Sequence, residues 1–331
     1  MLFFDEKIVQ QEHLNGKMLI PKVEKTVDVI CEKGYQNIFY IGIGGTALLA
    51  SQMQNIVKQL GAKLPLYVEN AADFCLVGNP YFSQNSIVVI ESVSGDTKEM
   101  IQAVDKVHEL GASVLGYVEK QNSPLYEKVD YLISSTGCAQ YFWYTVTFRF
   151  LKNADMYPEY DNFIENIKNL SENAVSIFQQ ADSKAQEYTL HHWNEPLQYL
   201  IASGNLEAWA HCYGMCTLEE MQWMKTRPLS ASDFFHGTLE VIERDTCIML
   251  MKGEDITRPL MERVENFANK ISANVTVFDT KDFELNGVEE KYRGLLSPII
   301  VRTAFKRISL YLEYYRRHPL DIRRYYRHLE Y

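Results

Sequence analysis

The chain has 331 residues, of which 47% are hydrophobic and 23% charged, the profile of an ordinary globular protein of about two domains. Its 33 basic and 43 acidic residues leave a net charge of −10. That balance disfavours a nucleic-acid binder, which needs a basic surplus. No signal peptide and no apolar run of membrane-spanning length can be read, so the expected location is the cytoplasm, with no membrane partner.

The first predicted element is an amphipathic helix over residues 21–33, with Pro21 in its first turn and Val23, Val27 and Ile30 on its apolar side. A buried strand follows from Asn37 to Ile43. The turn Gly42-Ile43-Gly44-Gly45-Thr46 leads into a helix from Ala47 to Leu60. A strand is expected over Leu64–Val68, a short helix over Ala71–Val77 and a third strand over Ile87–Ser92. Thr97–Leu110 reads as a helix, and Ser113–Val118 and Tyr131–Ser134 as strands. Such alternation indicates a parallel sheet covered on both faces.

Residues 139–193 carry no strand signal and read as helices, Tyr141–Lys152 and roughly Asn162–Tyr188. The alternation then resumes. Leu197–Ser203 is a strand, Leu206–Lys225 a helix, Thr246–Met251 a strand, Arg258–Ile271 a helix and Asn274–Asp279 a strand. Leu295–Arg317 is a long final helix. The fold class is α/β, as two units of similar design joined by a helical connector.

The stretch Ser92-Val93-Ser94-Gly95-Asp96-Thr97 ends a strand and opens a helix. Three hydroxyls meet the orphan amides and positive dipole end of a helix start, which suits a phosphate. No Gly-Lys-Ser/Thr ending follows, so this is not a Walker loop. The competing reading is a plain turn capped by Ser94 or Asp96. The earlier glycine turn admits a dinucleotide reading, with Ala47 as third small residue and Glu69 as ribose acid. Two anion-ready turns in one sheet instead suit a compact phosphorylated ligand between neighbouring strand ends.

Two further residues suit proton transfer. Glu220 follows a helix rich in apolar side chains and neighbours Met221, Trp223 and Met224. Burial in such company raises a carboxyl pKa toward the range of a useful acid or base. Solvation on the helix surface is the alternative. His236 lies in Asp233-Phe234-Phe235-His236-Gly237, a loop before the next strand, where an imidazole can serve as acid or base or hold the loop. His191 and His192 are expected on the surface. The six cysteines include no CxxC pair. Cys212 and Cys216 share a predicted helix face beside His211, but no second ligand group completes a metal site, so they read as packing.

These residues resemble a known family, the tandem sugar isomerase (SIS) domain proteins. The family's Ser-x-Ser-Gly-(Glu/Asp/Asn)-Thr loop is matched at Ser92–Thr97. Its glycine turn is matched at Gly42–Thr46, with threonine replacing serine. Its catalytic glutamate, sixteen residues before the histidine of a His-Gly-Pro motif, is matched by Glu220 and His236, although Thr238 replaces the proline. Within the family the chain is similar to fructosamine (fructoselysine 6-phosphate) deglycases. That likeness is carried by Glu220-Met221-Gln222-Trp223, by Asp233–Gly237 and by the tail from His318-Pro319-Leu320 through Arg323-Arg324-Tyr325 to Leu329-Glu330-Tyr331.

The resemblance implies two SIS-type, doubly wound, flavodoxin-like parallel-sheet subdomains. These are 1–155 with an N-terminal helix and 195–331 with a C-terminal helix and tail, linked by a helical connector at 156–194. It implies release of glucose 6-phosphate and an amine from a 6-phosphofructosamine. Gly44, Gly45, Thr46, Ser92, Val93, Ser94, Gly95 and Thr97 would bind the substrate. Glu220 would move the carbon-bound proton, and His236 would open the ring or protonate an oxygen. It implies no metal and no other cofactor, and a homodimer with sites at the subunit interface. The arginine-rich tail either closes over the site or makes surface and interface pairs. Other phosphosugar isomerases or deaminases, acting on glucosamine 6-phosphate or glucoselysine 6-phosphate, carry the same loops. A non-catalytic sugar-phosphate sensor is the alternative from another class. Against it stand the retained Glu220 and His236, and an N-terminal segment too short for a multi-helix reader of DNA.

Overall fold

The computed structural model describes residues 4–330. The chain forms two compact units, one from Lys7 to Glu172 and the other mainly from Asn173 onward. The first contains α1 (Glu6–Lys33), β1 (Asn37–Gly42), α2 (Gly45–Gln59), β2 (Leu66–Asn70), α3 (Ala71–Leu76) and β3 (Ser86–Ser92). It continues with α4 (Lys98–Glu109), β4 (Ser113–Val118), α5 (Pro124–Lys128), β5 (Tyr131–Ile133), α6 (Ala139–Asn153) and α7 (Tyr160–Glu172). All five strands are parallel, in the order β2-β1-β3-β4-β5. That is the doubly wound, flavodoxin-like order.

Every residue of β1 and β3 is buried. Helices cover both sheet faces, so these strands are continuous apolar runs instead of alternating ones. On one face Phe39, Ile41, Val88 and Ile90 pack with Phe74 of α3 and Met100, Val104 and Val107 of α4. On the other, the Tyr40 hydroxyl lies 2.8 Å from the Thr147 hydroxyl of α6.

The first helix differs from expectation. It starts at Glu6, and Pro21 lies inside it. An interior proline removes one helix bond and crowds the preceding turn. Packing on α6 outweighs that cost. Gly16 sits so close to Tyr141 that a Cβ would come within 2.2 Å of the ring. His13 Nδ1 is 2.7 Å from the Tyr141 hydroxyl. Near the helix end, Arg149 donates to both Asp28 oxygens at 2.7 and 2.6 Å, and this bonding holds the Asp28 carboxyl below the usual carboxylate range.

The second unit contains α8 (Ala174–His192), β6 (Gln198–Ala202), α9 (Glu207–Cys212), β7 (Thr226–Ser230), β8 (Cys247–Lys252), α10 (Arg258–Ile271), β9 (Val275–Asp279) and α11 (Glu290–Arg316). Its parallel sheet has the order β7-β6-β8-β9, so the winding pattern repeats. Strand β7 escaped the sequence reading because Arg227 and Pro228 interrupt the apolar run. It is an edge strand, where proline's missing N–H is tolerated. The helix expected over Leu206–Lys225 is also divided. A 3-10 turn at Gly204–Leu206 precedes α9, and a π-helix, Tyr213–Glu219, follows it.

One face of the second sheet packs Ile201, Ile248 and Leu250 against Met261, Val264 and Ala268 of α10. Elsewhere in this unit, α8 and α11 are locked by a buried charge. The Arg307 side chain is 0% exposed, and its Nε donates to Asp182 at 2.8 Å. The Tyr311 hydroxyl donates to the same carboxylate at 2.8 Å. Removing one member leaves the other buried and uncompensated, which is costly, whereas replacing both with apolar residues is not. Asp182→Ala should therefore lower stability by about 3 kcal/mol. The double variant Asp182→Leu/Arg307→Met should lose clearly less. Urea midpoints of the two variants check both statements.

Candidate functional site

In a doubly wound sheet the connections diverge between two neighbouring strands, leaving a crevice beyond their carboxyl ends. In the first unit those strands are β1 and β3, paired from Asn37↔Ser86 to Ile41↔Ile90. The glycine turn leaves β1 and the hydroxyl loop leaves β3. The fold thus brings Gly44, Gly45 and Thr46 to the same sheet edge as Ser92, Val93, Ser94, Gly95 and Thr97.

Glycine is required at the first turn. A Cβ on Gly42 would come within 2.5 Å of Ala47 N, so the helix start could not approach the strand end. Gly44 has φ +58° and begins α2 with no side-chain cap bond. The first amides of α2 therefore lack a capping acceptor. The Thr46 hydroxyl instead accepts from Ile43 N at 3.0 Å and closes the turn.

The second loop is braced from behind. Glu119 N donates to Ser92 O at 3.1 Å, Lys120 N to Val93 O at 3.2 Å and Leu125 N to Gly95 O at 3.0 Å. Three of its carbonyls are thus engaged by the segment after β4. Ser92 Oγ accepts from Gly95 N at 2.9 Å, and Gly95 takes φ +67° against the Ser123 side chain. The residue at the cap position of α4 is Thr97, and its side chain makes no cap bond. With its carbonyls turned away, the loop carries the donor-rich character an anion site needs.

The matching edge of the second sheet is filled by the chain itself. Its diverging strands are β6 and β8, followed by Ser203–Asn205 and Gly253–Thr257. Asp255 Oδ2 accepts from Asn205 N at 2.7 Å, and Oδ1 accepts from Thr257 N at 2.8 Å and from Thr257 Oγ1 at 2.5 Å. A Cβ on Gly204 would meet that carboxylate at 2.6 Å. An internal anion therefore uses the donors at this edge.

Glu220 directly follows the π-helix, a helix defect common at functional sites. Its side chain is 34% exposed, and Arg323 Nε donates to Oε1 at 2.7 Å. Apolar neighbours do bury it in part, but its immediate partner is a guanidinium. The tail is held against this corner by several contacts. Gln222 is fully buried and donates from Nε2 to His318 O at 2.9 Å. Trp223, strained at φ +55°, packs at a tilt on His318 with ring centroids 4.2 Å apart and lies 4.2 Å from the Arg324 guanidinium. The result is a cavity of about 740 Å³ lined by Glu220, Trp223, Lys225, Arg323, Arg324 and Tyr325, among others.

His236 does not line that cavity. Glu220 precedes β7, whereas His236 follows it, exposed, in the turn where His236 N donates to Asp233 O at 2.9 Å. Thr238, at the family's proline position, is buried, and its hydroxyl accepts from Arg227 at 3.3 Å. Proline could not offer that bond.

Sequence reasoning named Arg323 without its partner, because nothing local links positions 103 residues apart. It also placed His192 on the surface, yet His192 is 7% exposed. Among the described residues, His192, Glu195 and Cys247 form the group whose donor atoms lie within 4.8 Å of one another; Cys212 and Cys216 join no such group. His192 Nδ1 is 3.0 Å from Glu195 Oε1, and burial pushes the Cys247 thiol up to about 12. No helix among the described residues is long and apolar enough to cross a membrane.

Comparison with known proteins accords with this geometry. Residues 33–151 match the family model described as the SIS domain. The chain is 25% identical to the fructosamine deglycase of Bacillus subtilis, over 90% of this chain and 94% of the relative. It is 23% identical to the fructoselysine 6-phosphate deglycase of Escherichia coli, over 97% and 94%. A crystal structure of a candidate phosphosugar isomerase from Bacillus subtilis superposes with a TM-score of 0.89 at 24% identity, covering 95% of this chain and 99% of that one. Tagatose-6-phosphate ketose/aldose isomerase from Escherichia coli gives 0.72 at 12% identity, covering 96% and 94%. The expected SIS domain is borne out over residues 33–151, and the expected α/β fold over the chain.

The hydroxyl loop offers a direct check. Gly95→Ala would force a Cβ within 1.9 Å of Ser123 Oγ at a left-handed φ. We expect a stability loss of roughly 1–3 kcal/mol and at least about tenfold weaker binding of glucose 6-phosphate. Thermal shift and calorimetric titration read the two effects; wild-type affinity in the variant would remove the loop from the site.

Proposed function

We propose that this SIS-domain chain is a phosphosugar deglycase, converting a 6-phosphofructosamine and water to glucose 6-phosphate and a free amine. The observation that carries this reading is the likeness to deglycases along nine-tenths or more of the chain, in a sequence that has Glu220 and His236 at the family's spacing. The donor-rich edge at Gly44–Thr46 and Ser92–Thr97 supports the phosphate half.

The substrate has a C2 ketone and an amine on C1. Glu220 takes a proton from C1, and the electron pair forms an enolamine. Reprotonation at C2 gives a Schiff base at C1. Water adds to that carbon, the C–N bond breaks, and the amine leaves with the proton it needs. His236 opens the sugar ring or gives a proton to an oxygen. Ser92, Ser94, Thr97 and the amides of Gly44, Gly45, Thr46 and Val93 hold the phosphate end, with Gly95 shaping the loop through its bond to Ser92 Oγ. A general base contributes about 10² to 10⁴ in rate, so Glu220→Gln should lower kcat by about a thousandfold on fructoselysine 6-phosphate while substrate binding persists. A rate within threefold of wild type would sink the assignment.

We also read the working form as a homodimer whose site draws His236 from the second copy. The support is topological, since β7 lies between Glu220 and His236 in one chain and His236 stays outside the Glu220 cavity. Twofold assemblies are the commonest oligomers. Mixing inactive Glu220→Gln with inactive His236→Asn should restore turnover, because each mixed dimer then holds one intact pair. Absence of restored activity in a mixture shown by mass to contain heterodimers would overturn this arrangement.

A further inference from the structure

A second set of chemistry-bearing side chains lies at the amino edge of the second sheet, and none of it lines the Glu220 cavity. Gln198 opens β6 and Cys247 opens β8, and the two are paired across the sheet. His192 ends α8, and Glu195 follows in the turn to β6. Bonds within the chain fix this corner. Gln198 is fully buried; its Nε2 donates to His192 O at 2.9 Å, and its Oε1 accepts from the Tyr188 hydroxyl at 2.7 Å. Glu195 N donates to His192 O at 3.4 Å. Arg316 of α11 holds the next carbonyl, Trp193 O, at 2.5 Å. One donor atom each from His192, Glu195 and Cys247 thereby meets the others within 4.8 Å. His192 and Cys247 are almost closed to solvent, at 7% and 2% exposure. His192 and Glu195 also line a cavity of about 650 Å³, together with Lys184, Glu187 and His191.

We propose that His192, Glu195 and Cys247 bind one divalent transition-metal ion of the zinc class, with the fourth position of a tetrahedron open toward this cavity. The donor set supplies the argument. An imidazole nitrogen with a thiolate sulfur suits a borderline-soft cation, whereas magnesium and calcium take oxygen donors. Charge fits as well. The thiol releases its proton to solvent as its sulfur bonds the metal. Thiolate and carboxylate then carry two negative charges against the two positive charges of the ion, with the imidazole neutral. A buried corner holds such a neutral assembly at far lower cost than an isolated charge. The cation takes the place of the proton between His192 Nδ1 and Glu195 Oε1, which lie 3.0 Å apart, and the imidazole keeps its proton on Nε2. Bonds of about 2.0 Å to nitrogen or oxygen and about 2.3 Å to sulfur set tetrahedral donors about 3.5 Å apart, so the donors close by roughly 1 Å on binding. Glu195 supplies that movement, because its side chain is 21% exposed while the other two are packed in. With ligands from the end of α8, the next turn and the start of β8, the ion clips the connector helix to the sheet.

The test uses the full chain, freed of metal by a chelator, with cobalt(II) as the probe. A cobalt–thiolate bond gives charge-transfer absorption in the near ultraviolet, and tetrahedral cobalt gives strong visible bands. Titration should raise both to a plateau at one ion per chain, and zinc should then displace the cobalt. Zinc at about a hundredfold excess over its Kd should raise the Tm by roughly 5 °C. Cys247→Ser should abolish the charge-transfer band. Glu195→Gln, on the open side of the corner, should keep the fold and weaken cobalt binding by at least about tenfold, so the test stays decisive even where Cys247→Ser does not fold. Absence of the thiolate band in the wild-type protein would overturn the inference and leave His192 and Glu195 as a hydrogen-bonded pair in the turn. A band that persists in Cys247→Ser, or cobalt affinity unchanged in Glu195→Gln, would overturn it too, because the metal would then sit on other side chains.

Discussion

A parallel sheet wound in both directions must leave one place at its carboxyl edge where the connections part. In the first unit this constraint falls between β1 and β3, and the neighbouring loops inherit its consequences. The glycines of the first turn are needed because helix and strand nearly touch there, as the 2.5 Å approach at Gly42 shows. The second loop must satisfy its carbonyls elsewhere, and it does so on the segment after β4. The starts of α2 and α4 are left without a side-chain cap bond. On the proposed reading a phosphate needs no lysine clamp here, because the backbone supplies the field.

The same topology in the second unit reaches a different end. Strands β6 and β8 also part, and their loops also present amides. Asp255 answers those amides from within the chain. Its carboxylate is tethered, so holding it there loses far less entropy than capturing a free anion. Two sheets of one design thus support a division of labour. One leaves its helix starts without a side-chain cap, and the other fills its own edge with Asp255 and carries Glu220, the π-helix before it and the tail docked beside it.

Legibility in the sequence followed from the locality of the physics. The buried strands could be read because a parallel sheet covered on both faces turns them into unbroken runs such as Ile87–Ile90. The crevice loops could be read because glycine and hydroxyl requirements are written in consecutive residues. Strand β7 could not, since an edge position lets Arg227 and Pro228 stand where a central strand would refuse them. The first half of α1 could not either. Its helix survives Pro21 through contacts with Tyr141 and Arg149, far along the chain. The pairing of Glu220 with Arg323 belongs to the same class, being made wholly by tertiary folding.

That pairing bears on how a carboxylate proposed as a base can wait beside a cation without being disabled by it. A guanidinium in contact with a carboxylate stabilises the charged form, which is the form a base must have before reaction. It also occupies a lone pair that the proton would need. Withdrawing the guanidinium into an empty pocket would cost the ion pair and leave a partly buried charge unmatched. Exchange avoids the first of these costs. When a second carboxylate replaces the first, the number of ion pairs is conserved, although Glu220 itself loses its partner. The tail thus places a cation against Glu220 in the free protein, and an anion arriving at this corner would compete with Glu220 for Arg323.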